Sequence, residues 1–264
     1  MTIDPTPFVA AHPSRPSWRR SPLDARLRAT ELLDEGGHDP AELADNLDDI
    51  GKVNRLGGGT RVVLRHLPAL LDGLPWDRPV EILDLGTGSA DIPVAVADWL
   101  RPRNRPVRIV ASDVSDEVLV AARRRIGRRH EISVARYDAL AVPLPDRSVD
   151  VVLSSLTMHH FEPEEAVRLL GEMRRLARVG FILNDIARSA PGFAAAWVSS
   201  RLGTRNRMTR HDMPLSVRRA YAPSELEGLL ASAGVDGARV TTHPLFRMAA
   251  VWKRPASGQA ERSG

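Results

Sequence analysis

Short apolar runs alternate with longer helix-like patterns from residue 80 onward. Five runs rich in β-branched and aliphatic residues predict strands at 80–85, 107–113, 132–138, 148–156 and 178–186. The patterns between them have helical spacing at 92–100, 116 to about 128, and 163–177. Parallel strands need a crossover connection, and crossover helices cover both sheet faces. The pattern therefore predicts an α/β fold, doubly wound around a mostly parallel, seven-stranded, Rossmann-like sheet.

The segments on either side predict further elements. Before the sheet, helices are expected at 21–37 and over 39–71, the second one interrupted at "RLGGGTR". The segment after the fifth strand is an insertion with a helix at 190–202 and a long loop or broken helix at 203–221. A helix over 222–235, with Ser224 as its N-cap, and an edge hairpin at 238–254 complete the fold.

These elements predict a domain organisation of four parts. They are a disordered arm at 1–20, an N-terminal helical cap at 21–78, the α/β domain at 79–254, and a disordered tail at 255–264. The arm is rich in proline and arginine and lacks the apolar stretch of a secretory signal, which predicts a cytoplasmic protein.

Composition excludes several classes of function. The 264 residues include no cysteine, which removes disulfides, thiolate metal sites and thiol nucleophiles. No apolar run approaches the roughly 20 residues that a membrane-spanning helix needs. The net charge of +4 comes from arginines spread along the chain, and the run at 122–130 fits the solvated face of a helix. Nucleic acid is therefore not the expected partner.

The stretch "EILDLGTGSADIP", residues 81–93, places a glycine turn between a strand and a helix. Such turns often bind phosphate, but the third glycine of the dinucleotide fingerprint would fall at Asp91. A carboxylate at the start of the helix, with Asp84 before the turn, disfavours a pyrophosphate and suits a cationic ligand. S-adenosylmethionine meets this requirement, because its amino and sulfonium groups are positive and it has no phosphate.

Four motifs in order carry a resemblance to a known family. They are "ILDLGTGSAD" (82–91), the strand-end acid Asp113, "YDALAVPLPDRSVDVVLSS" (137–155) and "LTMHHF" (156–161). Together they resemble class I S-adenosylmethionine-dependent methyltransferases over about residues 79–186. The resemblance implies S-adenosylmethionine as cofactor and S-adenosylhomocysteine as product.

The resemblance also implies roles around the glycine turn. Gly86 and Gly88, with Thr87 between them, would let the backbone pass under the cofactor, while Asp84 would organise the loop around its amino group. The third glycine that the family frequently has is Ala90 here.

Residues that follow the next strands would hold the rest of the cofactor. By the same resemblance, Asp113 would accept hydrogen bonds from the ribose hydroxyls and Val114 would lie against the adenine. Asp138 and Ala139 would read the adenine edge, and Ser154 would offer its carbonyl near the methionine part.

The candidate catalytic bases are His159 and His160, just past the fourth predicted strand. Histidine titrates near neutrality and can take a phenolic or enolic proton. Methyl transfer mainly needs positioning of the acceptor, so no metal is expected. The alternative is that one histidine caps or packs under the following helix. His160 is slightly preferred as the base, without geometric grounds.

The acceptor pocket is expected outside the motif core. Residues 49–67 resemble the segment before the cofactor motif in menaquinone and ubiquinone biosynthesis methyltransferases, with Arg61 reaching the cofactor carboxylate. A plain helix–helix turn is the alternative there. Residues 184–189 and 207–221 resemble the insertion of bacterial small-molecule methyltransferases, including enzymes for phenolic and polyketide products. Long loops at a binding edge commonly set specificity.

The expected function is methyl transfer to oxygen or carbon of a small, hydrophobic or aromatic acceptor. A homodimer is compatible with the sequence. Three alternatives remain open: an RNA or protein methyltransferase, a non-catalytic cofactor-binding homologue, and a nicotinamide oxidoreductase. "SSLT" stands where amino-methylating nucleic-acid enzymes often resemble "NPPY", and Asp91 argues against a nicotinamide cofactor.

Overall fold

A computed structural model of the chain describes residue 23 and residues 25–255, and its centre is one seven-stranded sheet. Its strands are β1 (Val80–Leu85), β2 (Val107–Asp113), β3 (Ile132–Arg136), β4 (Val149–Ser155), β5 (Ala177–Ile186), β6 (Arg239–His243) and β7 (Arg247–Lys253). The order across the sheet is β3-β2-β1-β4-β5-β7-β6. Strands β1 to β5 are parallel, and β7 runs antiparallel to both β5 and β6. The predicted fold class is confirmed.

Eight α-helices accompany the sheet in the described part of the chain. They are α1 (Pro40–Leu56), α2 (Gly59–Leu71), α3 (Asp91–Leu100), α4 (Asp116–Ile126), α5 (Pro163–Leu176), α6 (Ala190–Gly203), α7 (Arg207–Arg219) and α8 (Pro223–Ser232). Residues next to the helix start stabilise the first turn of several helices. Before α4, for example, the Ser115 hydroxyl accepts a hydrogen bond from the Val118 amide at 3.3 Å. Among these residues, no helix has the length and apolar character to cross a bilayer.

The core lies on both faces of the sheet because strand residues alternate between them. In β1, Ile82 packs with α2, α3 and α4, whereas Leu83 packs with α5 and α8 on the opposite face. A smaller apolar cluster joins α1 to the starts of α4 and α7 through Leu47, Val118 and Met208. This arrangement leaves the carboxyl ends of β1, β2 and β4 open beneath α1 and α7.

Three local predictions are wrong. Residues 25–37 do not form the expected helix, since only a short 3₁₀ turn at Leu32–Glu35 is helical. The segment 203–221, expected as a loop or broken helix, contains α7. Helix α8 starts after Ala222 rather than at Ser224, because Glu225 accepts the Ala222 amide at 2.8 Å. The arm at 1–20 lies outside the described residues, as does the tail beyond residue 255.

Candidate active site

The glycine turn between β1 and α3 needs glycine at its first position. Gly86 has a φ of +66°, in the left-handed region, and an added Cβ would collide with the Thr157 side chain. The Thr157 hydroxyl donates a hydrogen bond to the Gly86 carbonyl at 3.2 Å. This hydrogen bond and the close contact with Thr157 therefore hold the turn after β1 next to the turn after β4.

Asp84 lies at the end of β1 and is 2% exposed. Its Oδ2 accepts a hydrogen bond from the Thr87 hydroxyl at 2.6 Å, while Oδ1 is buried without a partner among the described residues. Burial raises the pKa of Asp84 to about 8, despite the Thr87 hydrogen bond. A hydrogen-bond donor or a positive charge placed beside Oδ1 would therefore stabilise the Asp84 carboxylate.

Asp113 ends β2 beside the same turn. Its carboxylate accepts hydrogen bonds from the Gly88 and Ser115 amides, each at 3.1 Å, and burial raises its pKa. Val114, 59% exposed, follows it. Beyond β3, Asp138 accepts the Leu140 amide at 2.8 Å. The predicted cofactor residues after the first three strands are thus brought to one edge of the sheet.

A cavity of about 410 Å³ opens at this edge, within the usual size range of small-molecule sites. Ten of the predicted site residues line it: Asp84, Gly86, Thr87, Gly88, Asp113, Val114, Asp138, Ala139, His159 and His160. Two do not. Ser154 is buried within β4, and Ser155 and Leu156 line the cavity in its place. Arg61 has an exposed side chain on α2, so the structure does not bring it to the site.

Several other polar groups around the cavity are buried without a hydrogen-bond partner in the described part of the chain. The atoms are Asn46 Oδ1, Asn54 Oδ1, Asp91 Oδ2 and Ser155 Oγ, and their four residues line the cavity. An unpaired buried polar atom costs about 1–3 kcal/mol. Their concentration here indicates a cavity built for a polar ligand.

His159 is a buried residue in the 3₁₀ turn Met158–His160 that follows β4. Its Nδ1 lies 2.7 Å from Oδ1 of Asp185, and its amide donates to Oδ2 of the same residue at 3.1 Å. Burial acts to raise the pKa of Asp185, but the attraction of the His159 ring when it is protonated and the hydrogen bonds from that ring and from the amides of Ile186 and His159 outweigh it and hold the pKa below its usual value. A carboxylate at Nδ1 keeps the ring proton there, and Nε2 lies 3.7 Å from Oε1 of Glu31, which lines the cavity together with His159.

His160, next along the chain, has a different environment. Its Nδ1 lies 3.0 Å from Oδ2 of Asp34, and its Nε2 lies 3.8 Å from Glu31. Burial by itself lowers the pKa of His160, but the carboxylates of Glu31 and Asp34 outweigh it and raise the pKa to about 9. His160 is therefore a cation at neutral pH.

The segment 25–38, here called the strap, closes one side of the cavity. Arg26 donates to the carbonyls of His159 at 2.9 Å and Phe161 at 2.8 Å, while Asp212 accepts the amides of Leu32 and Leu33. Sequence reasoning missed Glu31, Asp34 and Asp185. The strap acids show no signal that separates them from the acids of an amphipathic helix, whereas Asp185 follows an apolar run at a strand end.

One group of side chains could also hold a metal ion. Glu31, His159 and His160 each offer a ligand atom, and these atoms lie within 4.8 Å of one another. Both histidines use their other ring nitrogen on a carboxylate, which is the usual environment of a metal-bound imidazole.

Comparison with known proteins assigns the family. The family described as "Methyltransferase domain" matches residues 82–180. The demethylmenaquinone methyltransferase of Thermus thermophilus is 28% identical over 207 residues, which cover 74% of this chain and 90% of that protein. A malonyl-[acyl-carrier protein] O-methyltransferase of Marinomonas sp. is 35% identical over 98 residues, covering 37% of this chain and 34% of that protein.

Solved structures share the fold at low sequence identity. A SAM dependent methyltransferase from Aquifex aeolicus aligns with a TM-score of 0.55 and 17% identity, covering 82% of this chain and 98% of that one. The plantazolicin methyltransferase in complex with SAH aligns with a TM-score of 0.60 and 14% identity, covering 84% and 93%. These structures show the fold, and the family match over residues 82–180, which contains the motifs at the cavity, confirms the methyltransferase expected from the sequence. The chain therefore carries a class I S-adenosylmethionine-dependent methyltransferase domain and is an enzyme of that type.

Proposed function

We propose that the protein transfers a methyl group to oxygen or carbon of a small, hydrophobic or aromatic acceptor, and that His159 removes the acceptor proton. The observation that carries this proposal is the buried Asp185–His159 pair in the wall of the cavity that also contains the glycine turn. A histidine oriented by a carboxylate is the arrangement of a general base.

The described residues fit S-adenosylmethionine. Asp84 has a buried oxygen without a partner in the described part of the chain, and a Cβ added at Gly88 would have no atom within 4 Å, so the backbone there is open to a ligand. Asp113 keeps its carboxylate at the cavity edge, where ribose hydroxyls can donate to it. When bound, the cofactor supplies a methyl group on a positively charged sulfur. That positive charge would offset the repulsion among Asp84, Asp91 and Asp113 around the turn.

The role of His159 follows from its neighbours. Asp185 keeps the proton on Nδ1, so Nε2 can accept a proton from an acceptor hydroxyl or enol in the cavity. Asp185 also stabilises the imidazolium that forms, and Glu31, with Oε1 3.7 Å from Nε2, adds a second negative charge. His160 is already protonated at neutral pH and is unsuited to accept a proton. We therefore assign the base to His159 and give His160 the role of holding the strap through Asp34.

The side of the cavity that we assign to the acceptor includes four apolar side chains. Leu33 of the strap, Ile50 of α1, Phe161 and Met213 of α7 line it together with the two histidines. A ring with an ionisable hydroxyl would place its apolar body against these residues and its oxygen toward His159. The 28% identity to a demethylmenaquinone methyltransferase supports an acceptor of this kind.

The test measures methyl transfer and cofactor binding separately. Purified protein is incubated with isotopically labelled S-adenosylmethionine and fractionated cell extract, and labelled products are identified by mass spectrometry. We expect His159→Ala and Asp185→Asn to lower kcat about 10²–10⁴-fold while the dissociation constant of the cofactor stays within about threefold. His130→Ala, which changes an exposed histidine in the turn between α4 and β3, is the matched control.

Two results would overturn separate parts of the proposal. Unchanged turnover in both variants would make the Asp185–His159 pair structural. Labelling of RNA or protein in place of small molecules would reject the acceptor class, although the methyltransferase assignment would stand.

A further inference from the structure

Helix α6 exposes apolar side chains that no described element covers. Within Ala190–Gly203 the buried residues are Gly192 and Ser200, both small. Trp197 is 48% exposed, Val198 46% and Leu202 84%. A surface helix of a globular protein normally turns its large apolar side chains toward the core. Helix α6 instead exposes three large apolar side chains and buries two small residues. Its exposed face is therefore suited to bind a partner.

The exposed residues form a stripe along the helix. Ala194, Val198 and Leu202 are spaced by four residues, which puts them on one face, and Trp197 lies beside that stripe. The guanidinium of Arg201 lies 4.9 Å from the centre of the Trp197 ring. We call Trp197, Val198, Leu202 and Arg201, together with Arg205 beyond the helix end, the α6 patch.

The charge of this region has one sign. From residue 186 to residue 211 the chain contains five arginines and no aspartate or glutamate. Arg188 and Arg207 are paired with distant glutamates, Glu225 and Glu42. Arg201 donates instead to the Arg210 carbonyl at 3.0 Å, so that contact leaves its positive charge uncompensated.

A partner that fits the α6 patch must offer both negative charge and an apolar region. We propose that the α6 patch docks on an anionic lipid surface, with Trp197, Val198 and Leu202 entering the headgroup region and the arginines contacting acidic headgroups. A second copy of the chain fits less well, because a two-fold contact would bring the arginines of one patch against those of the other. A nucleic acid matches the charge but offers no apolar interior for Leu202.

Docking through α6 would also orient the active site. Helix α6 is followed at once by α7, whose residues Thr209, Asp212 and Met213 line the cavity. The lipid surface would therefore lie against the pair of helices that forms one cavity wall. The proposal stands independently of the proposed acceptor, because its test involves no methyl transfer.

The experiment is co-sedimentation of the full chain with vesicles of phosphatidylcholine alone or with one third phosphatidylglycerol, at low and physiological salt. We expect binding to the acidic vesicles only, weakened by salt. Trp197→Ser with Leu202→Ser, and separately Arg201→Gln with Arg205→Gln, should each weaken binding about tenfold or more. Thermal unfolding followed by circular dichroism should be unchanged, since these side chains are exposed.

Matched variants decide whether the effect belongs to the α6 patch. Trp76→Ser with Leu56→Ser changes two other exposed apolar residues, and Arg124→Gln with Arg128→Gln changes two exposed arginines elsewhere. Both should bind as the unmodified protein does. Equal weakening by the Arg124/Arg128 variant, or no binding to acidic vesicles, would overturn the proposal. A dimer in sedimentation equilibrium that the α6 variants dissociate would assign the surface to a second copy instead.

Discussion

His159 and His160 are adjacent, with ring centres 4.4 Å apart, yet their surroundings give them different chemistry. Nδ1 of His159 forms a short hydrogen bond with Asp185, and its Nε2 lies on the side of Glu31, a residue that lines the cavity. His160 lies between Asp34 and Glu31, which keep it protonated. The sequence "MHH" predicts a base at this position, but the choice between the two rings depends on acids from β5 and the strap, far away along the chain.

Asp84 should link cofactor binding to proton release. In the ligand-free protein burial raises its pKa to about 8, so the group is mostly protonated at pH 7. A cationic ligand favours the carboxylate and lowers that pKa, so binding releases a proton below pH 8. Affinity should therefore rise with pH, by up to tenfold per unit, and level off above about pH 8.

Calorimetric titration in buffers of different ionisation enthalpy measures the protons released. The cofactor's own amino group titrates in the same range, so the difference between the unmodified protein and Asp84→Asn isolates the contribution of Asp84. The variant should show a flatter pH dependence. An identical slope in both proteins would mean that Asp84 does not change its protonation on binding.

At the scale of elements, the pattern of apolar residues predicts the central sheet closely. The observed limits of β1 and β2 coincide with the predicted ones, because buried parallel strands are nearly continuous apolar runs that end at polar residues. The strap could not be predicted in this way. Its arginine, leucines and acids have helix-like spacing, but its contacts with α7 and the turn after β4 replace the hydrogen bonds of a helix.

The sequence predicts only a long loop or broken helix where the structure has α7, for the opposite reason. Pro214 and several polar residues weaken its helical pattern, whereas tertiary contacts stabilise it. Asn206 caps it by accepting the Thr209 amide at 3.0 Å, and Asp212 accepts two strap amides. The strap and α7 stabilise each other through these hydrogen bonds, so the conformation of neither segment can be predicted from its own residues alone.

Arg26 should be the main attachment of the strap. Its side chain is 9% exposed and donates to the carbonyls of His159, Phe161 and Arg219 and to the Glu162 carboxylate. Arg26→Met removes the guanidinium from the buried carbonyls of His159 and Arg219 and one of the donors to Phe161 and Glu162, and should lower the free energy of unfolding by about 3 kcal/mol, measured by urea denaturation.

Arg28 provides the control, because it pairs with the same Glu162 but is 79% exposed. Arg28→Met should change the free energy of unfolding by less than about 1 kcal/mol. Equal effects of the two substitutions would show that the strap is not held by the buried guanidinium.

At the scale of the whole molecule, the sheet places residues from distant parts of the chain at one edge. The turns after β1, β2 and β3 bring predicted cofactor residues to the cavity, and the turn after β4 brings the two histidines. The acceptor side that we propose comes from the strap, α1 and α7, which lie outside the matched family region 82–180. The family match therefore includes the turns after β1 to β4 but not the elements that we assign to the acceptor.

The polypeptide and S-adenosylmethionine should suffice for catalysis. The proposed reaction needs a base and a charged methyl donor, both accounted for without a metal ion. Dialysis against EDTA should thus leave kcat within about twofold of the untreated value, measured with the labelled-product assay. A loss of activity that a divalent ion restores would instead assign Glu31, His159 and His160 to a metal centre.

Strand β7 is the last strand of the described residues, but it occupies an inner position between β5 and β6. During synthesis, β5 must therefore wait with one side unpaired until residues 247–253 leave the ribosome. An open strand edge in a nascent chain is a template for intermolecular pairing. The order in which the ribosome releases the strands thus exposes this chain to aggregation late in translation, after most of its core residues have already emerged.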